Sequence, residues 1–166
     1  MGLLDLPIAA TLRRNHAVEH ATMHIMAQRQ PYLNAVARTS LDGFYVYGPV
    51  ETQTLADAAA EGLARLQAGQ SELAIHPRCG TNLAVAGFLA GVATFLAMGR
   101  SRSRLNKFPR FILAATLAVI AAQPLGLLVQ ERFTTSTDVG STRIRQVVRQ
   151  LMGRLTVHKV ELEHDR

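Results

Sequence analysis

The sequence predicts an α+β fold, a small helix-plus-short-sheet domain packed on a two-helix transmembrane hairpin. Three observations predict it. A stretch free of Gly and Pro runs from Ile8 to Gln30 and is rich in helix formers. Short β-rich runs bounded by turn residues lie on either side of the chain's middle. Two runs, Leu83 to Met98 and Phe111 to Val129, are almost wholly apolar, and with their flanks each approaches the roughly 20 residues that cross a bilayer. The expected parts are residues 1–79, residues 80–130, and residues 131–166, the last completing the first.

The first helix has Asp5 as a plausible N-cap with Pro7 in its first turn, and it should stop before Pro31. Ile8, Leu12, Val18, Met23 and Met26 give it a loosely apolar side. Ala35–Thr39 and Phe44–Tyr47 read as two strands, and Asp42-Gly43 between them is a hairpin signal. A second helix fits Thr52 to Gln67, with Leu55, Ala59, Leu63 and Leu66 at helical spacing and Gly69 ending it. Glu72–Ile75 is a short strand candidate.

Gly87 and Gly91 in the first apolar run have the small-xxx-small spacing that permits close helix contact. The second run is interrupted only by Gln123 and Pro124, which membrane helices tolerate. Beyond a polar loop, Ser141–Met152 reads as an amphipathic helix, with Ile144, Val147, Val148 and Leu151 on one side. Leu155–Glu163 reads as a last strand that could pair with the early hairpin.

The net charge of +6 is unevenly placed. Residues 1–79 are net −1 and residues 131–166 net +2, whereas residues 80–130 carry five basic groups and no acid. Four of the five, Arg100, Arg102, Arg104 and Lys107, lie in the loop between the apolar runs, with Arg110 at its end. One short basic cluster argues against a nucleic-acid surface, which needs a broad patch. The positive-inside rule places the loop in the cytoplasm and both termini outside. The start lacks the pattern of a cleavable signal peptide. One cysteine excludes an internal disulfide.

Two motifs carry chemistry. In Asn15-His16-Ala17-Val18-Glu19-His20 the histidines are four apart on a helix. Their Cβ atoms would then be about 5–6 Å apart on one face, close enough to converge on a single metal ion at about 2 Å. This HxxEH order is the inverted zincin spelling, in which Glu19 would be the general base. His24 continues the stripe, so His20 and His24 form an equally good pair, but His16 and His24 would be about 12 Å apart along the axis and cannot share an ion. The second motif is His76-Pro77-Arg78-Cys79-Gly80-Thr81-Asn82. Imidazole and thiolate suit zinc, and the coming helix start favours a thiolate or a bound anion. Each motif taken alone points more to ordinary packing than to a metal site.

Taken together and in order, HAVEHA, HPRCGTN before one span, and Gln130 with Thr134-Thr135 after another resemble the YqhQ-like bacterial membrane proteins. That family of unknown function is described as predicted metal-dependent enzymes. This chain resembles a compact version, with Ala17 and Ala21 departing from the family pattern and no acid-Pro pair after Thr135. The resemblance supports His16, His20, Cys79 and His76 as ligands of a divalent metal, zinc in the first instance. His76 would be the fourth ligand or a partner beside the ion. Arg78, Asn82, Gln130, Thr134 and Thr135 would orient substrate or ligands.

The activity expected is a membrane-embedded metal-dependent hydrolase acting on a peptide or lipid-linked substrate at the bilayer surface. The alternative is a non-catalytic assembly factor or accessory subunit with a structural metal or haem. Expected partners are membrane lipids and a second copy or membrane complex. A peripheral lipid binder using the basic loop ranks last.

Overall fold

A computed structural model describes residues 4, 6–98, 108–153 and 155–165. The proposed Asp5 cap and the basic residues Arg100, Arg102, Arg104 and Lys107 lie outside the described residues. Among the described residues the architecture is α+β, with four α-helices and one antiparallel sheet. The chain divides into two units: Met1–His76 with Glu131–Arg166, and Pro77–Gln130.

In the first unit, helix α1 (Pro7–Arg29) starts with Pro7 at its N-terminus, where the missing N–H costs nothing, and ends where Gln30 N–H bonds the Met26 carbonyl. Strands β1 (Val36–Ser40) and β2 (Gly43–Tyr47) form the expected hairpin, paired from Val36–Tyr47 to Ser40–Gly43. Gly43 is required there. It has φ +134°, and a Cβ would stand 1.9 Å from the Val160 carbonyl oxygen. Helix α2 (Thr52–Gln67) is capped by the Glu51 carboxylate, which accepts from Gln53 and Thr54 N–H.

Two further strands, β3 (Thr142–Met152) and β4 (Leu155–His164), complete a sheet ordered β1-β2-β4-β3. The last strand therefore pairs with the early hairpin as expected. Its core is shared by Val18, Ala21, Ile25 and Met26 of α1, Leu55, Ala59 and Leu63 of α2, and Phe44, Val46, Val160 and Leu162 of the sheet. The helices cross closely at Gly62, where a Cβ would lie 2.9 Å from the Ala21 backbone. Ile8 and Leu12, expected on the apolar side of α1, are exposed, and Ala17, Ala21 and Ile25 take the core positions.

Two expectations are corrected. Ser141–Met152 is a strand, not a helix. The register shift between Ile144 and Gln146 inserts Arg145 as a bulge. The bulge moves the inward phase by one residue, which sets Ile144 and Val147 three apart on one face; Val148, opposite Lys159, faces the other way, and the apolar spacing still imitates a helical period. The β-branched Thr142, Ile144, Val147 and Val148 agree with the strand. Glu72–Ile75 is not a strand but lies mostly in a 3₁₀ turn, Ser71–Ala74. The carbonyls of Ala74 and Ile75 accept from histidines of α1, so this segment is tied to a helix.

The second unit is a hairpin of α3 (Gly80–Met98) and α4 (Phe108–Val129), the latter running on into a π turn at Gln130–Thr134. Both helices are long and apolar enough to cross a membrane, and only 6% and 11% of their most apolar windows are buried, unlike a soluble core helix. Ala97, Ala122 and Gly126 are buried. A Cβ on Gly126 would meet Asn82 Oδ1 at 2.4 Å. Gly87 and Gly91 do not serve this contact, since nothing lies within 4 Å of a Cβ at either. At 3.6 residues per turn they sit on roughly the opposite side of α3 from Asn82.

Candidate metal centre

The histidines of α1 are held by backbone carbonyls. His16 Nδ1–H donates to the Thr134 carbonyl at 2.9 Å, and His20 Nδ1–H to the Ala74 carbonyl at 2.6 Å. A carbonyl only accepts, so each bond fixes the tautomer with its proton on Nδ1. Nε2 then keeps its lone pair, the arrangement by which a protein orients a metal-binding imidazole. The two rings are neighbours, with centroids 4.2 Å apart. His20 is buried, and its Nε2 is buried with no hydrogen-bond partner. An unpaired polar atom in that position costs about 1–3 kcal/mol unless something outside the described hydrogen bonds takes it up.

The strand-turn-helix surroundings explain this placement. Ser136 N–H bonds the Arg13 carbonyl, Arg13 reaches the Arg132 carbonyl, and Arg14 pairs with Asp138 at 2.7 Å. These bonds lay Glu131–Asp138 along the start of α1 and bring Thr134 to His16. Of the residues expected to orient ligands, Thr134 thus acts through its backbone. Thr135 is buried and Arg78 exposed. His76 lies beside the histidine row, its ring 5.8 Å from that of His20 and 4.7 Å from that of His24. Glu19 is buried, and its carboxylate accepts the Thr39 hydroxyl proton of β1 in a short bond.

The remaining expected residues belong to the second unit. Cys79 precedes α3, and its sulfur accepts from Thr81 N–H at 3.4 Å, as an N-cap side chain does. Asn82 donates to the Pro77 carbonyl at 2.8 Å and accepts from Gln130 Nε2 at 2.7 Å. Asn82 and Gln130 therefore form a polar node between α3 and α4. Two imidazoles and a thiolate are a donor set that could hold a metal ion.

Two histidines, one buried and one half-buried, escaped the sequence reading. His158 is fully buried, 3.0 Å from the Thr52 hydroxyl, and burial foremost holds its pKa below the ordinary imidazole value. His164 donates to Asn15 Oδ1 at 2.7 Å and sits 3.1 Å from the Thr142 hydroxyl, and burial again pushes its pKa down. Asn15, completely buried, donates onward to the Ser40 and Leu41 carbonyls. The alternation through Val160 and Leu162 places both histidines on the inward side of β4, which is the signal that could have found them.

Comparison with known proteins places the chain by its residues 11–147, which match the model of a domain of unknown function, DUF6391. The chain belongs to the DUF6391 family. Another protein similar to this DUF6391 chain is an uncharacterized protein of Picosynechococcus sp., 34% identical over 135 residues. That alignment covers 75% of this chain and 66% of the relative, a little under two thirds of its length. No solved structure matches. The match is to a family of unknown function, DUF6391, and it carries no YqhQ-like assignment. Neither description names a metal or a reaction.

Proposed function

We propose that this DUF6391 chain is a membrane-embedded, zinc-dependent hydrolase acting at the bilayer surface on a peptide or lipid-linked substrate. His16 and His20 would supply two ligands and Cys79 a third. The observation that carries the reading is His20 Nε2, a buried nitrogen that keeps a lone pair because the ring's proton is spent on Ala74 and that has no hydrogen-bond partner. Cys79 follows His76 by three residues, so the two Cα atoms cannot be more than about 11 Å apart. The resemblance to the YqhQ-like family points the same way. Three protein ligands leave the open position that a catalytic zinc keeps. The ion, when bound, would supply Lewis-acid activation of water. Glu19, one helical turn from His16, would take the proton as general base.

One observation favours the second reading, a non-catalytic accessory subunit with a structural metal. The Glu19 carboxylate is engaged by Thr39 on the sheet side of α1, as a structural carboxylate would be. Elemental analysis of the detergent-purified chain tests the metal shared by both readings. We expect zinc that survives dialysis in the wild type and is lost from His16→Ala, His20→Ala and Cys79→Ser. A wild type without zinc, iron or manganese, or variants that keep the same content, would overturn it. Glu19→Gln then separates the readings: a hydrolase keeps its zinc in this variant and loses turnover of a lipid-linked or peptide substrate.

A further inference from the structure

We infer a second cation position in the same unit, formed by His24 and His76, for a divalent first-row ion of the zinc or cobalt type. It builds on the reading of His16 and His20 as ligands.

Three consecutive residues organise it. The Ala74 carbonyl orients His20, the Ile75 carbonyl accepts from His24 Nε2–H at 2.8 Å, and the next side chain is His76 itself. The bond to Ile75 fixes His24 with its proton on Nε2 and its lone pair on Nδ1. His20 has spent Nδ1 on Ala74 and has one nitrogen to give, so it serves a single ion, the one it shares with His16. The His76 ring is nearer His24, at 4.7 Å, than His20, at 5.8 Å. Two imidazoles on one tetrahedral ion have centroids about 5 Å apart, given a metal–nitrogen bond of about 2 Å and the ring's own radius. The 4.7 Å separation of this pair is of that size, with the rings inclined at 61°.

His16 and His24, two turns apart on α1, are too far apart to share an ion, so the row divides into pairs. Imidazole donors select zinc, cobalt, nickel or copper over magnesium and calcium. With two protein ligands and solvent completing the sphere, this ion binds more weakly than the first and exchanges.

The test is a Co²⁺ titration of the chelator-stripped, detergent-solubilised full chain, followed by absorbance and calorimetry. Wild type should take up about two equivalents in two steps. His24→Ala and His76→Ala should each weaken the looser step more than about 100-fold while keeping the tighter one. His16→Ala should lose the tighter step and keep the looser. The two variants sit on different segments, and far-UV circular dichroism confirms that each is folded. A single equivalent, lost in His16→Ala and untouched in His24→Ala and His76→Ala, overturns the second position and leaves the first standing. A single equivalent lost only in His24→Ala and His76→Ala sinks the His16–His20 reading and keeps this one. No uptake at all overturns both.

Discussion

Phe44 and Phe95 are the same side chain in opposite surroundings. Phe44, in the helix-and-sheet unit, is fully buried among α1, α2 and β4, whereas Phe95, in the hairpin unit, is 72% exposed. The contrast extends across each unit. The first hides apolar groups and gives most of its inner polar groups partners: Asn15 with His164, Thr22 with the Val18 carbonyl, half-buried His16 and the Nδ1 of buried His20 with carbonyls. The second turns Phe88, Leu113 and Ile120 outward and buries small residues with the Asn82–Gln130 node. Where water surrounds a domain, burial of apolar area drives packing. Between helices in lipid that drive is absent, so small residues and a few hydrogen bonds set the contact.

Substitutions can break or sharpen this comparison. The largest effect is expected for Phe44→Ala, which should destabilise the chain by about 3–5 kcal/mol through lost transfer energy and a cavity. Thermal unfolding in detergent, followed by circular dichroism, reads it. Asn82→Ala should cost about 1 kcal/mol, the scale of a hydrogen bond between membrane helices. An SDS titration beside Gln130→Ala and the double variant would show this as coupling between the two residues. Phe95→Ala should be almost silent, below about 0.5 kcal/mol, because detergent or lipid chains replace what the ring touched. If Phe95→Ala proved as costly as Phe44→Ala, the two units would share one kind of core and the contrast would fail.

Much of the fold was legible because its local signals were unmixed. Pro7 and Pro31 bracket α1, Asp42-Gly43 marks the β1–β2 turn, and Leu55 to Leu66 declares the inner side of α2. Both long apolar helices announced themselves by length and lack of charge. Reading failed where tertiary contacts reset the local pattern. A single inserted residue, Arg145, changed a strand's period into a helix's. Leu73 and Ala74 are buried in a turn whose carbonyls are claimed by α1.

At the candidate site, the four-residue spacing of His16 and His20 was visible in the sequence. What no spacing could disclose is which ring nitrogen carries the proton. That follows from carbonyls at Ala74 and Thr134, 54 and 118 residues away.

Among the described residues, the two rims of the sheet, β1 and β3, have no strand beyond them. Along β3, Arg143, Arg145 and Arg149 are all exposed, and the register shift beside Arg145 breaks the regular ladder. A neighbouring molecule approaching to lengthen the sheet would meet these like charges. Exposed charges and an interrupted ladder disfavour strand-to-strand zippering at that rim.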